Sequence, residues 1–143
     1  MEGSSECFDD VTDTTQENGW PHKTRSVSFL LYNVGDVASK VCDCDWVKYV
    51  ELFDFVTLTE TFIDNDFDLS GVFYDFIKFV CPAVKLSYHG RRSGGLLVMV
   101  KKQLAKFVER ISVDCDNVIV LKLSGALLGT EEDYFCLRRA ALW

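Results

Sequence analysis

The most constraining feature of this sequence is a strand–helix–strand pattern within residues 27–59. Residues 27–34 (VSFLLYNV) form a short apolar segment that ends in turn-forming residues, which is typical of a buried β-strand. Residues 45–52 carry apolar side chains at near-helical spacing, with Asp45 as a candidate N-cap, and residues 53–59 predict a second strand. A helix that joins two strands over so short a span favours a right-handed crossover connection, and such connections join parallel strands.

The rest of the chain predicts more strands. Residues 64–71 indicate a polar loop, and residues 72–84 are aromatic-rich but irregular, with a break at Pro82. A final strand is predicted to begin within residues 133–137. Before it come three apolar segments with short connections, which predict an antiparallel meander; they are residues 96–100, 107–113 and 118–123.

Charge is distributed unevenly over the 143 residues. Residues 1–20 contain six acids and no Lys or Arg, whereas the remaining residues contain 16 acids and 15 bases. We therefore predict a mobile acidic leader over residues 1–25 and one domain over residues 26–143.

Within this domain, residues 78–110 contain eight bases and a single acid, Glu109. Such a basic segment suits phosphate groups, although a run of charges is also typical of an ordinary solvated surface.

The six cysteines do not form a zinc-binding or disulfide pattern. Only Cys42 and Cys44 are close in sequence, and His22 and His89 are too far from them for a familiar zinc spacing. The acidic N-terminus lacks the apolar segment of a secretory signal, and no apolar run approaches the length of a membrane span. These features predict reduced thiols in an intracellular protein, nuclear or cytoplasmic.

Three motifs follow one another in an order that resembles a known superfamily: LLYNVG at 30–35, FDFVTLTETF at 53–62 and HGRRSGGLLVMVKK at 89–102. Together they resemble the first half of the endonuclease/exonuclease/phosphatase superfamily, in particular the endonuclease domains of LINE-type non-long-terminal-repeat retrotransposons, which are relatives of the apurinic/apyrimidinic endonucleases. The resemblance covers about residues 27–137. It implies an α/β (α+β) fold built as a two-sheet sandwich, and hydrolysis of phosphodiester bonds in DNA with Mg²⁺ or Mn²⁺.

The resemblance also implies roles for individual residues. Glu60 corresponds to the acidic metal ligand, Asn33 to the asparagine that arranges the metal and the scissile phosphate, and Arg91 and Arg92 to a turn near the nucleic-acid face. The chemistry is suitable, because Mg²⁺ prefers oxygen ligands and the arginine fork matches phosphate oxygens. The residues alone also allow simpler interpretations. Glu60 fits a solvent-facing residue at a strand end, Asn33 fits an ordinary turn residue, and both arginines fit exposed charges in a turn. His89 does not correspond to the family's general base.

Motifs of the family's second half are absent from this sequence. Neither an Asp-x-Asn pair at the expected position nor a closing Ser-Asp-His motif occurs, and the segment LRRAALW follows DYFCL where relatives continue differently. We therefore expect a truncated sandwich with weak or no hydrolytic activity. Half of a sandwich is expected to expose apolar strands such as residues 96–100, which would lower solubility or cause self-association.

Several functions remain open at this stage. The first is a metal-dependent, endonuclease-like domain derived from a retrotransposon. The second is a non-catalytic remnant that binds nucleic acid or protein through the basic segment 78–110. The third is an unrelated α/β domain. A phosphatase that acts on inositol phosphates or lipids is a further alternative, which the resemblance around GRRSGG disfavours.

Overall fold

The structure is a computed structural model that describes residues 26–85 and 87–139. It has a mixed α+β fold with few helices, as the sequence predicts. The predicted leader, residues 1–25, lies outside the described residues. The helices are α1 (Val37–Lys40) and α2 (Cys44–Val50), with 3₁₀ segments at Lys102–Phe107 and Gly125–Leu127. The strands are β1 (Phe29–Asn33), β2 (Phe55–Thr59), β3 (Phe76–Cys81), β4 (Val84–Lys85), β5 (Arg92–Ser93), β6 (Leu96–Lys101), β7 (Val108–Ile111), β8 (Val118–Leu123) and β9 (Tyr134–Arg139).

The predicted strand–helix–strand unit is present. β1 and β2 pair in parallel, with Phe29 opposite Phe55 and Asn33 opposite Thr59. The N-cap prediction is wrong by two residues, because Asp43 and not Asp45 precedes α2. The carboxylate of Asp43 accepts hydrogen bonds from the backbone N–H groups of Asp45 (3.0 Å) and Trp46 (3.2 Å), which have no partner within the helix.

A four-stranded sheet with the order β1-β2-β6-β3 contains two features that the sequence analysis did not predict. First, β3 lies within the segment interpreted as irregular. Pro82 follows its last residue, Cys81, so the proline ends the strand without interrupting it. Second, β6 is not part of the meander, since it pairs antiparallel with both β2 and β3. The meander consists of β7, β8 and β9, which form a separate antiparallel sheet.

Both faces of the four-stranded sheet carry apolar side chains that pack against other elements. One face packs Val56, Leu58, Leu97 and Met99 against residues of the two helices and the 63–76 segment. The other face packs Phe55, Val98 and Val100 against Ile119, Leu121 and Leu123 of β8. The second sheet therefore covers part of the first and shares a core with it.

The prediction that residues 96–100 would be exposed is wrong. All five are buried, because the second sheet covers one side of β6 and the helices with the 63–76 segment cover the other. Exposed apolar side chains occur instead on the edge strand β1, where Phe29 and Leu31 are 54% and 55% exposed. Self-association remains a prediction, and β1 is where apolar surface would be available for it.

No helix in the described part of the chain has the length and apolar character needed to cross a bilayer.

A two-stranded ribbon of β4 and β5 connects β3 to β6, with Lys85 opposite Arg92.

The central position of β6 leads to a stability prediction. Leu97→Ala should lower the free energy of unfolding by about 2–5 kcal/mol, because it leaves a cavity at a fully buried position. Leu52→Ala is the matched control, since Leu52 is 71% exposed and its truncation should change stability by no more than about 0.5 kcal/mol. Urea denaturation of both variants measures the difference, and equal effects would contradict the proposed packing of β6.

Candidate functional site

Asn33 and Glu60 lie at the same edge of the four-stranded sheet. Asn33 is the last residue of β1 and is the register partner of Thr59, the last residue of β2, and Glu60 follows Thr59 directly. The backbone N–H of Val34 donates to the carbonyl oxygen of Thr59 at 3.0 Å, which continues the pairing of the two chains beyond the strands. The structure thus brings together the two residues predicted to form a metal site, at the carboxyl ends of parallel strands where α/β sheets bind ligands.

Glu60 begins a turn with an unusual backbone. Glu60 and Phe62 have φ angles of 54° and 56°, in the left-handed region that costs a non-glycine residue on the order of 1 kcal/mol or more. Three backbone hydrogen bonds hold the turn. Thr61 N–H donates to Gly95 O (3.4 Å), Phe62 N–H donates to Gly94 O (3.1 Å), and Thr61 O accepts from Val37 N–H (3.1 Å). The start of β6 and the start of α1 therefore fix the backbone that carries Glu60.

Gly95 is required by the close approach of this turn. A Cβ at Gly95 would lie 2.4 Å from the Thr61 hydroxyl oxygen and 3.3 Å from Cβ of Ala83, and Gly95 itself has φ +89°. The Thr61 hydroxyl is fully buried and has no hydrogen-bond partner among the described residues. Both observations show that the Ser-Gly-Gly turn is packed directly against the residue that follows Glu60. Gly94 and Gly95 are buried beneath the turn.

The two arginines of the motif lie near the segment that follows Glu60. Arg92 is in β5, and its guanidinium forms an ion pair with Asp64, four residues after Glu60. Arg91 is exposed and forms no ion pair with any other described residue. The base of the ribbon is attached to the same segment, because Ala83 N–H donates to Ile63 O at 2.7 Å. Of the two, Arg91 is the one whose charge is available to a ligand.

The oxygen donors at this edge fit a divalent cation only in part. Within the described ranges, no three His, Cys, Asp or Glu side chains are grouped so that they could hold a metal ion. Of the neighbouring carboxylates, Asp36 accepts from Ala38 N–H at the start of α1, and Asp64 pairs with Arg92. Glu60 and Asn33 are left as a single carboxylate and a single amide. This donor set fits a Mg²⁺ ion that keeps several waters and shares a substrate phosphate, and it is too small to retain the ion by itself.

The basic segment 78–110 does not form one continuous surface. Lys85, Arg91 and Arg92 belong to the ribbon near Glu60, whereas Lys101 and Lys102 lie at the far end of β6. A six-residue strand separates these groups by roughly 20 Å. Lys78 of β3 belongs to the second group, since burial, and next the charge of Lys102, lower the pKa of its ammonium group. Arg110 is elsewhere, over the ring of Phe79 at 6.0 Å.

Other candidate residues lie away from this edge or have no role there. His89 is exposed in the turn between β4 and β5, beside the ring of Tyr88. Sequence reasoning missed Thr61 and Asp64. Their partners, Gly95 and Arg92, are about 30 residues away in the chain, so no local pattern indicated either contact.

The packing of Gly95 against Thr61 predicts a specific loss of stability. Gly95→Ala should cost about 1–3 kcal/mol, because its methyl group meets the Thr61 hydroxyl and its φ is unfavourable for alanine. Adding Thr61→Ala should recover part of this loss, since it removes the colliding oxygen. Gly71→Ala is the control, because a Cβ there meets nothing within 4 Å. Thermal and urea unfolding give the values, and a strictly additive double variant would contradict the contact.

Comparisons of this chain with protein-family models, with curated proteins and with solved structures find no match.

Proposed function

We propose that this chain is a phosphodiesterase-type domain of the endonuclease/exonuclease/phosphatase kind, derived from a retrotransposon endonuclease and acting on DNA with Mg²⁺ or Mn²⁺. The observation that carries the proposal is the convergence of Asn33, Glu60 and the ribbon bearing Arg91 at the carboxyl edge of the parallel strand pair. Two sheets that share an apolar core agree with the sandwich architecture of that superfamily.

The residues at this edge suit the binding of a phosphodiester. The Glu60 carboxylate would hold the metal ion together with a phosphate oxygen, and the Asn33 amide can both donate to and accept from the bound group without adding charge. Arg91 would contact a neighbouring phosphate of the nucleic-acid backbone. When bound, Mg²⁺ or Mn²⁺ stabilises the charge that develops on the phosphoryl and leaving oxygens. The left-handed turn at Glu60 fits this role, because strained backbone is concentrated at functional sites.

Turnover in this chain is expected to be slow. The nearby carboxylates of Asp36 and Asp64 are engaged in a helix cap and an ion pair, and the described residues place no histidine at this edge other than His89 in the ribbon turn. A positioned general base typically contributes about 10²–10⁴ to the rate, so its absence predicts weak hydrolysis.

A plasmid-nicking assay tests the proposed activity. We expect slow conversion of supercoiled DNA to the nicked form with Mg²⁺ or Mn²⁺, and loss of that conversion when EDTA is added. Glu60→Gln should lose the activity, because it removes the carboxylate while keeping the size of the side chain. Glu109→Gln should keep it, since Glu109 is exposed on β7 in the second sheet.

The assay also has outcomes that contradict the proposal. Nicking that persists unchanged in Glu60→Gln would assign the activity to another site or to a contaminant. Absence of nicking in the wild-type protein, with its fold verified by a cooperative melting transition, would contradict the enzymatic proposal and favour the second candidate.

The second candidate is a non-catalytic module that binds nucleic acid through basic side chains. The observation that favours it is the Lys101–Lys102 group, which lies about 20 Å from the Glu60 edge and close to Lys78, whose pKa is lowered first by burial and next by the charge of Lys102. On this proposal, phosphate contacts would lie at the far end of β6.

The salt dependence of DNA binding distinguishes the two surfaces. Each lost phosphate contact should reduce the slope of log K against log salt concentration by about 0.9. If DNA lies at the Glu60 edge, Arg91→Ala should show this reduction and Lys102→Ala should not; the reverse pattern would assign DNA to the lysine group. Fluorescence anisotropy with a short duplex measures both slopes. If both variants keep the slope of the wild-type protein, neither surface is the DNA-binding site.

A further inference from the structure

A cavity of about 480 Å³ lies where the two sheets meet, and two cysteines line it. Cys81 is the last residue of β3, and Cys115 belongs to the turn that connects β7 to β8. Val80, Pro82, Arg110 and Val118 form other parts of the wall. Cys81 is buried, whereas Cys115 is exposed, and both have free thiols.

We propose that Cys81 and Cys115 form a reversible disulfide across this cavity in the presence of a low-molecular-weight disulfide such as oxidised glutathione. This inference is independent of the proposed phosphodiesterase activity. It rests on the placement of the two thiols and on the exposure of the segment that carries Cys115.

The geometry brings the two residues within reach of each other. The Cys81 thiol donates to the carbonyl oxygen of Asp116 at 2.8 Å, so its sulfur touches the backbone of the residue that follows Cys115. Adding standard backbone dimensions places the Cys81 sulfur within about 9 Å of Cα of Cys115. Residues 112–116 are all exposed, so little packing opposes the movement of this segment that brings the two sulfurs into bonding distance.

The different environments of the thiols set the order of events. Cys115 is exposed and can meet a dissolved disulfide directly. Cys81 is shielded within the core, and burial raises the pKa of its thiol, while the charge of Arg110 acts in the opposite direction. Cys115 is therefore the attacking residue and Cys81 the resolving one.

The reaction proceeds by two exchanges. The Cys115 thiol loses its proton, and its sulfur attacks one sulfur of oxidised glutathione; the glutathione S–S bond breaks and one glutathione thiol is released after taking up a proton. The Cys81 thiol then loses its proton and attacks the Cys115 sulfur of the mixed disulfide, which forms the Cys81–Cys115 bond and releases the second glutathione. Two cysteine thiols are oxidised and one glutathione disulfide is reduced to two thiols.

The bond would join the two sheets covalently. Cys81 ends β3 in the first sheet, and Cys115 precedes β8 in the second, so the cross-link closes a chain segment that includes β6 and β7. A closed segment of this length reduces the freedom of the unfolded chain, and the oxidised protein should melt at a temperature higher by on the order of 5–10 °C.

Peptide mapping of the 143-residue chain tests the proposal. After equilibration with a mixture of oxidised and reduced glutathione and blocking of the remaining thiols, trypsin separates residues 79–85 from residues 111–122. We expect these two peptides as one linked species that lacks two hydrogen atoms and disappears on treatment with dithiothreitol. The melting temperature should rise on oxidation and return on reduction.

Cys115→Ser removes the exposed partner without disturbing the core, and it should abolish both the linked peptide and the rise in melting temperature. Cys42→Ser is the matched control, because Cys42 is another exposed cysteine, and it should leave both results unchanged. Glutathione bound to Cys115 with a free Cys81, or a disulfide that pairs Cys81 or Cys115 with a different cysteine, would overturn the proposal. Oxidation that leaves both thiols free would also overturn it.

Discussion

The structure depends on the pairing of β6 with both β2 and β3. β6 is the only strand of the four-stranded sheet with two antiparallel neighbours, and all of its residues from Leu96 to Val100 are buried. Its alternate side chains contribute to two different apolar clusters, one shared with the helices and the other with β8. The second sheet packs where β3, β6 and Phe55 of β2 present apolar side chains. The edge strand β1 lies beyond that cover, which accounts for the exposure of Phe29 and Leu31.

The same strand also determines the shape of the candidate site. Gly94 and Gly95 immediately precede β6, and their carbonyl oxygens accept from the turn that follows Glu60. Residues 60 and 62 could adopt other backbone conformations at lower local energy, so the tertiary contacts must offset the cost of their positive φ angles. The position of the Glu60 carboxylate is thus a consequence of long-range packing, and it does not follow from the local sequence TET.

The sequence predicts elements better than it predicts their arrangement. β1, β2, β6 and β8 were recognisable as apolar runs, and the parallel pairing of β1 with β2 followed from the intervening helix. β3 was missed because Lys78 and the following aromatic and proline residues obscure its pattern, although all six of its residues pair with β6. The pairing of β6 with β2 could not be read from short connections, since its partner lies about 40 residues earlier in the chain. For the site, Asn33 and Glu60 lie at neighbouring strand ends and their roles stay predictions, whereas the pairing of Arg92 with Asp64 required the folded chain.

A single row of residues across the sheet connects the two proposed sites. Asn33 is opposite Thr59, Thr59 is opposite Leu96, and Leu96 is opposite Cys81. The thiol pair and the Glu60 turn therefore lie at the same edge of the sheet. Cys81 on β3 is two strand spacings, or roughly 10 Å, from Thr59, the residue that precedes Glu60. Gly95, which packs against Thr61, is bonded to Leu96 in the middle of this row. A cross-link at Cys81 would hold the second sheet against β3 and so restrict the end of β6 that supports the turn. The strained backbone at Glu60 relies on that support, because without the contacts of Gly94 and Gly95 the turn would relax to a conformation of lower local energy.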